Sequence, residues 1–338
     1  MGEGAFGAVF RGKDVINGRE VALKIIDKDQ MFAKYKSAAI REKLVRYWET
    51  EERCMRLCRS ANVVKLYNSY DNEHEKVLVM EYCRGGSLED FIGERKSLEE
   101  DEAIYILKQM IFGLAEAHQN KIVHRDLKPE NILVHEGVFK LGDFGLSKEL
   151  PQADAIFNAT ECGSKPTMAP EVKNNQKYGL KADIWSLGMI FFMMVYPAPE
   201  LDLTAKFRKA MQMVEFGGGF RFRTKAAPLS KEASDFLAKT IVVDQHMRMG
   251  WSQMLDHQIF DKLPARMPEY ISISLNEFDA LKKLSAEQEM EEYSPVVLDE
   301  LSETLIRSTD ENPEQINAEK EQLDTEELNG YYLECKKA

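Results

Sequence analysis

The apolar positions in the first quarter of the chain predict strands arranged around one helix. Two β-rich runs, at residues 8–10 and 21–26, flank the turn-forming pair Asn17-Gly18. Between residues 37 and 59, apolar side chains recur at the spacing of one helix face. Two more strands are predicted near 63–70 and 76–81. A small sheet with one main helix is therefore expected here.

Helices dominate the pattern after the break at Gly85-Gly86-Ser87. The segment from Ser97 to Glu100 matches a capping box and predicts a long helix to about residue 118. Residues 183–196 are apolar on nearly every face, which predicts a buried helix, and residues 230–241 are amphipathic. After about Leu263 the apolar pattern thins.

Charge changes this picture at the C-terminal end. The chain has 45 basic and 57 acidic residues, a net charge of -12. Residues 265–338 contain 19 acidic and 7 basic residues, so the whole excess lies in an acidic tail that we expect to be largely disordered. The net acidity argues against a broad nucleic-acid-binding face.

Cysteine usage and apolar run length indicate the compartment. The five cysteines lack the spacing of a disulfide framework, which favours a reduced protein. The longest apolar run, residues 189–195, is too short to span a membrane. We therefore predict no membrane span and a cytoplasmic location, with a nuclear one left open.

A glycine-rich segment near the start of the chain has the spacing of a phosphate-binding loop. Gly2, Gly4 and Gly7 would let backbone N–H groups close over phosphates without obstruction by side chains. A dinucleotide site needs a helix after the last glycine, but a strand at Val9 and Phe10 follows here. This order favours a flap over ATP.

Lys24 ends an apolar strand, so its ammonium would be half-buried and would need an anion. Phosphate oxygens are one candidate partner and a carboxylate on the following helix is another. An edge lysine that points to solvent is the structural alternative.

The strongest signal is a loop that carries Asp126, Lys128 and Asn131, with Asp143-Phe144-Gly145 twelve residues further on. A carboxylate can accept a hydroxyl proton, a lysine can hold a phosphoryl group, and amide and carboxylate oxygens can bind Mg²⁺. Together these groups match the requirements of phosphoryl transfer.

Over about residues 1–263 the chain resembles a eukaryotic protein kinase. The matching motifs stand in family order: the glycine loop, Val21-Ala22-Leu23-Lys24, residues 124–131, Asp143-Phe144-Gly145, Ala169-Pro170-Glu171, residues 183–188 and Arg248. The resemblance implies an α+β bilobal kinase fold, with a small antiparallel β-sheet lobe at 1–83 and a mostly helical lobe at 84–264. It also implies that the first strand begins before Met1.

The resemblance assigns roles in catalysis and metal binding. Asp126 would take the substrate proton beside Lys128, and Asn131 and Asp143 would bind Mg²⁺. Lys24 would hold the ATP phosphates and pair with Glu51, with Glu52 as the nearest competitor. The remaining site residues would hold ATP through the glycine loop, the adenine pocket and the hinge, or would orient the catalytic loop: Gly2, Glu3, Gly4, Gly7, Val9, Ala22, Met80, Glu81, Cys83, Leu133 and Ser164.

The expected activity is ATP-dependent phosphorylation of serine and threonine in protein substrates. Lys128, two residues after Asp126, and Ser164 are arranged as in the serine/threonine kinases. The alternative is a pseudokinase scaffold, favoured only if the short first strand abolishes ATP binding.

The resemblance also implies regulation and internal pairing. Arg125 would pair with a phosphate on Thr160, added by an upstream kinase or by autophosphorylation. Glu171 and Arg248 would form a buried ion pair.

Overall fold

The computed structural model describes residues 2–4, 7–15, 17–95, 98–152, 156–157, 166–195 and 229–261. Its N-terminal part is a five-stranded antiparallel sheet with strand order β1-β2-β3-β5-β4. The strands are β1 (Gly2–Gly4), β2 (Gly7–Lys13), β3 (Glu20–Asp27), β4 (Leu66–Asp71) and β5 (Glu75–Glu81). The expected antiparallel sheet is confirmed.

The register of this sheet places four predicted site residues on one face. Val9 lies opposite Lys24, and Ala22 lies opposite Met80. Cross-strand partners share a face, and residues two apart on a strand share it too. The opposite face of β3 and β5 carries a separate apolar cluster of Val21, Leu23, Val77 and Val79.

Two helices pack against the sheet, where the sequence predicted one. The main helix, α2 (Ala38–Leu57), buries a stripe that contains Leu44, Trp48 and Glu51. Before it, the short helix α1 (Lys28–Lys34) is capped by Asp27, whose carboxylate accepts from the Gln30 N–H at 2.8 Å. The missed signal was this Asp at the end of a strand, which is a favourable N-cap.

Strand β4 begins at Leu66, three residues later than expected. Residues 63 and 64 pair elsewhere: the Val64 N–H donates to the Leu141 carbonyl at 2.8 Å, and Val63 forms a parallel bridge with Leu141. These two apolar residues therefore connect the N-terminal sheet to the C-terminal region.

Over its described residues, the C-terminal region contains far more helix than strand. Its helices are α3 (Leu88–Arg95), α4 (Glu100–Gln119), α5 (Pro170–Lys173), α6 (Lys181–Val195), α7 (Lys231–Thr240) and α8 (Trp251–Leu255). Its short strands are β6 (Ile122–Val123), β7 (Ile132–His135), β8 (Val138–Leu141) and β9 (Lys148–Glu149). Helix α6 is buried on nearly every face, as predicted.

Helix α4 starts later than its predicted capping box. Glu99 is the N-cap and its side chain makes no capping hydrogen bond, so the expectation for this start is wrong. Ser97 lies outside the described residues. In the part of the chain that is described, no helix is both long and apolar enough to cross a membrane.

The predicted ion pair between Glu171 and Arg248 is confirmed. Arg248 donates in bidentate geometry, from Nη1 to Glu171 Oε1 at 2.6 Å and from Nη2 to Oε2 at 2.9 Å. Both side chains are 2% exposed or less. Arg248 also donates to the carbonyls of Val242 and Lys181, so it ties helix α5 to helix α6 and to the segment after α7.

We expect Glu171→Gln to destabilise the protein by about 3 kcal/mol, because it leaves a buried guanidinium without its counter-charge. Urea unfolding followed by circular dichroism measures this loss. Glu42→Gln is the matched control, since Glu42 forms an ion pair with Arg46 on the exposed surface of α2. Equal stability of the two variants would contradict the structural importance of the Glu171–Arg248 pair.

Candidate active site

Lys24 is buried and paired with two carboxylates. Its Nζ lies 2.5 Å from Glu51 Oε1 on helix α2 and 3.3 Å from Asp143 Oδ1. The Lys24 side chain is only 9% exposed, so the alternative of an edge lysine in solvent is wrong. Burial lowers the pKa of Lys24, but Glu51 and Asp143 outweigh it and hold that pKa above its usual value. The lysine therefore stays charged.

Glu52, the competing candidate for this pairing, belongs to a different network. Its Oε2 lies 2.6 Å from Lys76 Nζ on β5, and its Oε1 accepts from the Ser69 hydroxyl at 2.5 Å. Lys76 is itself buried and also contacts Asp71 at 3.1 Å. Adjacent positions on a helix point in different directions, so Glu51 reaches Lys24 while Glu52 fixes α2 to β4 and β5.

The loop after β6 brings together three predicted residues. Lys128 Nζ lies 2.9 Å from Asp126 Oδ2. The Asn131 amide donates to the same oxygen at 3.0 Å and to the Asp126 carbonyl at 2.8 Å. Burial lowers the pKa of Lys128 and the Asp126 carboxylate raises it, with a net rise. Ser164, expected beside Asp126, lies outside the described residues, as does Thr160.

A buried carboxylate on α6 holds the backbone of this loop, a role that the sequence reasoning did not assign. Asp183 accepts from the N–H groups of His124 at 2.8 Å and Arg125 at 3.0 Å. Arg125 has a left-handed backbone with φ of 69°, which costs energy for a residue with a side chain. These hydrogen bonds offset that cost directly before Asp126.

Asp143 also has left-handed backbone geometry, with φ of 54° and ψ of 73°. Its carboxylate remains about half-exposed, while the next residue, Phe144, is fully buried. The Phe144 ring lies 4.8 Å from the His124 ring, centroid to centroid. Partial burial raises the pKa of Asp143, but Lys24 and His124 outweigh this effect. The pKa of Asp143 therefore lies below its usual value.

The oxygen atoms of Asn131 and Asp143 are a donor set that suits Mg²⁺. Both hydrogen bonds of the Asn131 side chain come from its nitrogen, which leaves Oδ1 as the atom for a cation. Over the described residues there is no cluster of three or more His, Cys, Asp or Glu that could hold a metal. Mg²⁺ does not require one, because it commonly takes one or two protein oxygens together with substrate phosphates.

The residues predicted for the ATP pocket lie on the sheet and on strand β7. Val9, Ala22 and Met80 share one face of the sheet, and Leu133 on β7 forms a bridge with Ser87. Cys83 is buried, which raises its thiol pKa to about 12. The thiol therefore stays protonated, and the backbone of Cys83 is the part suited to hydrogen bonding.

The N–H group and the carboxylate of Glu81 have partners within the protein. Its N–H donates to the Lys65 carbonyl at 2.8 Å, and its carboxylate lies 3.1 Å from Lys140 Nζ. The N–H and the side chain are thus occupied in forming the hinge.

The glycines of the glycine loop lie where strands β1 and β2 pair in antiparallel fashion. Gly2, Glu3 and Gly4 form β1, and the ladder ends where Gly4 pairs with Gly7. Gly7 has φ of 155°, and a Cβ there would lie 2.6 Å from the Ile25 carbonyl oxygen. Only glycine therefore fits at this close approach of two strands.

The network around Glu52 gives a prediction about pH. Burial raises the pKa of Glu52, but hydrogen bonds from Lys76 and Ser69 outweigh it and lower that pKa to about 2. Because the pKa of Glu52 is depressed in the folded protein, its ionised carboxylate stabilises the fold at pH values above the ordinary pKa of 4.5. This stabilisation is lost as the pH falls through about 2. We expect Glu52→Gln to cost about 2 kcal/mol at neutral pH, with less than half of that difference left by about pH 3.

Urea unfolding of wild type and Glu52→Gln at steps between about pH 7 and pH 3 measures this difference. Glu42→Gln again serves as the exposed control on the same helix. A stability difference that stays constant over this pH range would show that the Glu52 charge does not stabilise the fold.

Comparison with known proteins identifies the family. Residues 1–260 match the protein kinase domain. The chain is 32% identical over 292 residues to the SNF1-related protein kinase catalytic subunit alpha KIN12 of Arabidopsis thaliana, covering 85% of this chain and 55% of that protein. It is 34% identical over 278 residues to the serine/threonine protein kinase OSK3 of Oryza sativa, covering 81% and 51%.

A third relative is the carbon catabolite-derepressing protein kinase of Candida glabrata, 31% identical over 340 residues and matched over 98% of this chain and 52% of its own length. The chain thus spans about half the length of the curated relatives it matches. Its fold, the order of its motifs and the matched domain agree: the chain belongs to the protein kinase family.

Proposed function

We propose that this chain is an ATP-dependent serine/threonine protein kinase, which transfers the γ-phosphoryl group of ATP to hydroxyl groups of protein substrates. The observation that supports it most is the convergence of two charged clusters. Lys24, Glu51 and Asp143 form the first cluster. Asp126 and Lys128 form the second. The relative OSK3 is named as a serine/threonine protein kinase. We also propose a cytoplasmic location.

Each side chain has a defined task in this proposal. Lys24, held by Glu51, is placed to bind the phosphates of ATP. Asp126 accepts the proton of the substrate hydroxyl. The hydroxyl oxygen bonds to the γ-phosphorus as the bond from that phosphorus to the bridging oxygen of the β-phosphate breaks, and ADP leaves with that oxygen. Lys128 offsets the negative charge of the γ-phosphoryl group beside Asp126.

The metal would be held by Asn131 Oδ1 and the Asp143 carboxylate. When bound, Mg²⁺ neutralises charge on the β- and γ-phosphate oxygens. Positioning and electrostatic stabilisation supply most of the rate in this chemistry. The pairing of Asn131 with Asp126 therefore links the metal site to the proton acceptor.

A transfer assay with radiolabelled ATP, Mg²⁺ and a mixed protein substrate tests this function. Acid hydrolysis of the labelled protein should release phosphoserine and phosphothreonine without phosphotyrosine. Absence of transfer would overturn the proposal, and absence of Mg²⁺-ATP binding as well would support the pseudokinase scaffold.

Asp126→Asn should lower kcat by several hundred-fold or more, because it removes the proton acceptor and a charge at the reacting hydroxyl. ATP affinity, measured by calorimetry, should stay within about threefold of wild type, since in this proposal Lys24, the glycine loop and the hinge bind ATP while Asp126 acts on the substrate hydroxyl. Glu42→Gln controls for the loss of one carboxylate at an exposed site. An Asp126→Asn enzyme with most of its turnover would refute the assignment.

Arg125 suggests how the kinase is regulated. Its guanidinium donates to the Leu146 carbonyl and lies 5.8 Å from the centre of the Phe157 ring, and the described residues give it no carboxylate partner. We propose that a phosphate on Thr160 pairs with this charge and orders the loop around it. An upstream kinase or autophosphorylation would add the phosphate.

We expect Thr160→Ala to lower activity more than tenfold, about the effect of losing one ordering charge pair. Ser147→Ala is the matched control: Ser147 is 2% exposed and its hydroxyl donates to the His124 carbonyl at 3.3 Å, so a kinase cannot reach it. The variants are compared with phosphatase-treated wild type. Full activity of the dephosphorylated wild type would rule out this regulation.

A further inference from the structure

Trp251, the first residue of helix α8, makes a directed hydrogen bond to a buried histidine far away in sequence. Its indole N–H donates to Nδ1 of His118 at 2.7 Å, although the two residues are 133 positions apart. The rings meet edge to face, 5.1 Å apart and at 89°. His118 lies near the end of helix α4 and is only 4% exposed. This geometry fixes both the position and the orientation of the imidazole ring.

The hydrogen bond also determines which ring nitrogen of His118 carries the proton. Because Nδ1 accepts from Trp251, the proton of the neutral ring stands on Nε2. Nε2 lies 2.8 Å from Asp183 Oδ2, so the N–H donates to that carboxylate. In the other tautomer, two N–H groups would face each other at Trp251, and a lone pair would face the carboxylate.

Asp183 transmits this arrangement to the catalytic loop. Its carboxylate accepts from His118 and from the backbone N–H groups of His124 and Arg125. Burial raises the pKa of Asp183, but the hydrogen bonds from the His118 ring and the Arg125 N–H help to outweigh that effect and hold the pKa below its usual value. The group therefore stays charged although it is 1% exposed. The hydrogen bond from His118 therefore fixes the Asp183 carboxylate, which in turn holds the left-handed backbone of Arg125.

We propose that Trp251 is a positioning residue: by holding His118 in its Nε2–H tautomer, it orients Asp183 and through it the loop that carries Asp126. No contact of Trp251 with Asp126 is needed. No sequence motif indicated this role, because its parts are far apart in the chain. His118 lies on helix α4, Asp183 on α6 and Trp251 on α8, and the loop of Asp126 follows β6. The expected effect on turnover rests on the proposed kinase activity, whereas the effects on the tautomer and the loop backbone do not.

Trp251→Phe separates this role from packing, because it keeps an aromatic ring against His118 and removes the N–H donor. Trp48→Phe is the matched control. Trp48 is buried in the N-terminal part, and its indole nitrogen has no hydrogen-bond partner among the described residues. Both variants lose similar ring area, but only Trp251→Phe loses a hydrogen bond.

The first measurement is made on the wild-type chain, and a variant serves only to assign the signal. The 338-residue chain has six histidines, so selective ¹⁵N-histidine labelling gives few side-chain signals, and His118→Gln assigns the relevant one. Long-range ¹H–¹⁵N correlation should show His118 neutral, with an unprotonated Nδ1 and a protonated Nε2. A ring with the proton on Nδ1, or on both nitrogens at neutral pH, would overturn the proposal.

The second measurement follows the loop. In Trp251→Phe, hydrogen–deuterium exchange of the His124 and Arg125 amides should be about threefold to tenfold faster, the range expected for losing one neutral hydrogen bond. Trp48→Phe should leave both amides unchanged. Equal exchange in wild type and Trp251→Phe would show that Trp251 only packs.

Steady-state kinetics form the third measurement. We expect Trp251→Phe to lower kcat by about threefold to tenfold with KM for ATP within about twofold of wild type. Unchanged kcat in an active enzyme whose loop exchanges faster would refute the link to catalysis. Absence of activity in wild type would count against the proposed function alone, because the tautomer and the exchange rates are measured without turnover.

Discussion

A charged lysine that is almost fully buried is the constraint on which the rest of this structure depends. An ammonium at low exposure is tolerated only if carboxylates surround it. Here Glu51 and Asp143 come from different parts of the chain, and both reach Lys24. Helix α2, strand β3 and the loop after β8 must therefore occupy one relative position for the charge to be satisfied. Glu52 strengthens the same arrangement from the other side of the helix, through Lys76.

The second half of the site depends on buried hydrogen bonds to the backbone. The loop before Asp126 contains Arg125 in left-handed geometry, which a free loop would not retain. Asp183 holds it, and His118 holds Asp183. Helices α4 and α6 thus hold the backbone directly before Asp126, while the sheet determines the position of Lys24.

Local motifs and apolar spacing predicted the sheet, the main helix and the clusters at Asp126 and Lys24, because those signals lie within short segments. The capping role of Asp27 was overlooked, so helix α1 was missed. The pairing of Glu52 with Lys76 joins residues 24 positions apart and has no sequence pattern. Contacts of this kind depend on how the elements pack, and neither spacing nor residue type reveals them.

In the proposed function, the Lys24–Glu51 pair connects helix α2 to the ATP phosphates. A double-mutant cycle on Mg²⁺-ATP affinity, measured by calorimetry on wild type, Lys24→Met, Glu51→Gln and the double variant, tests this connection. If the pair acts as one unit, either single change should cost about tenfold or more in affinity, and the second should add little to the first. Additive losses, or an affinity that Glu51→Gln leaves unchanged, would show that the two residues act independently.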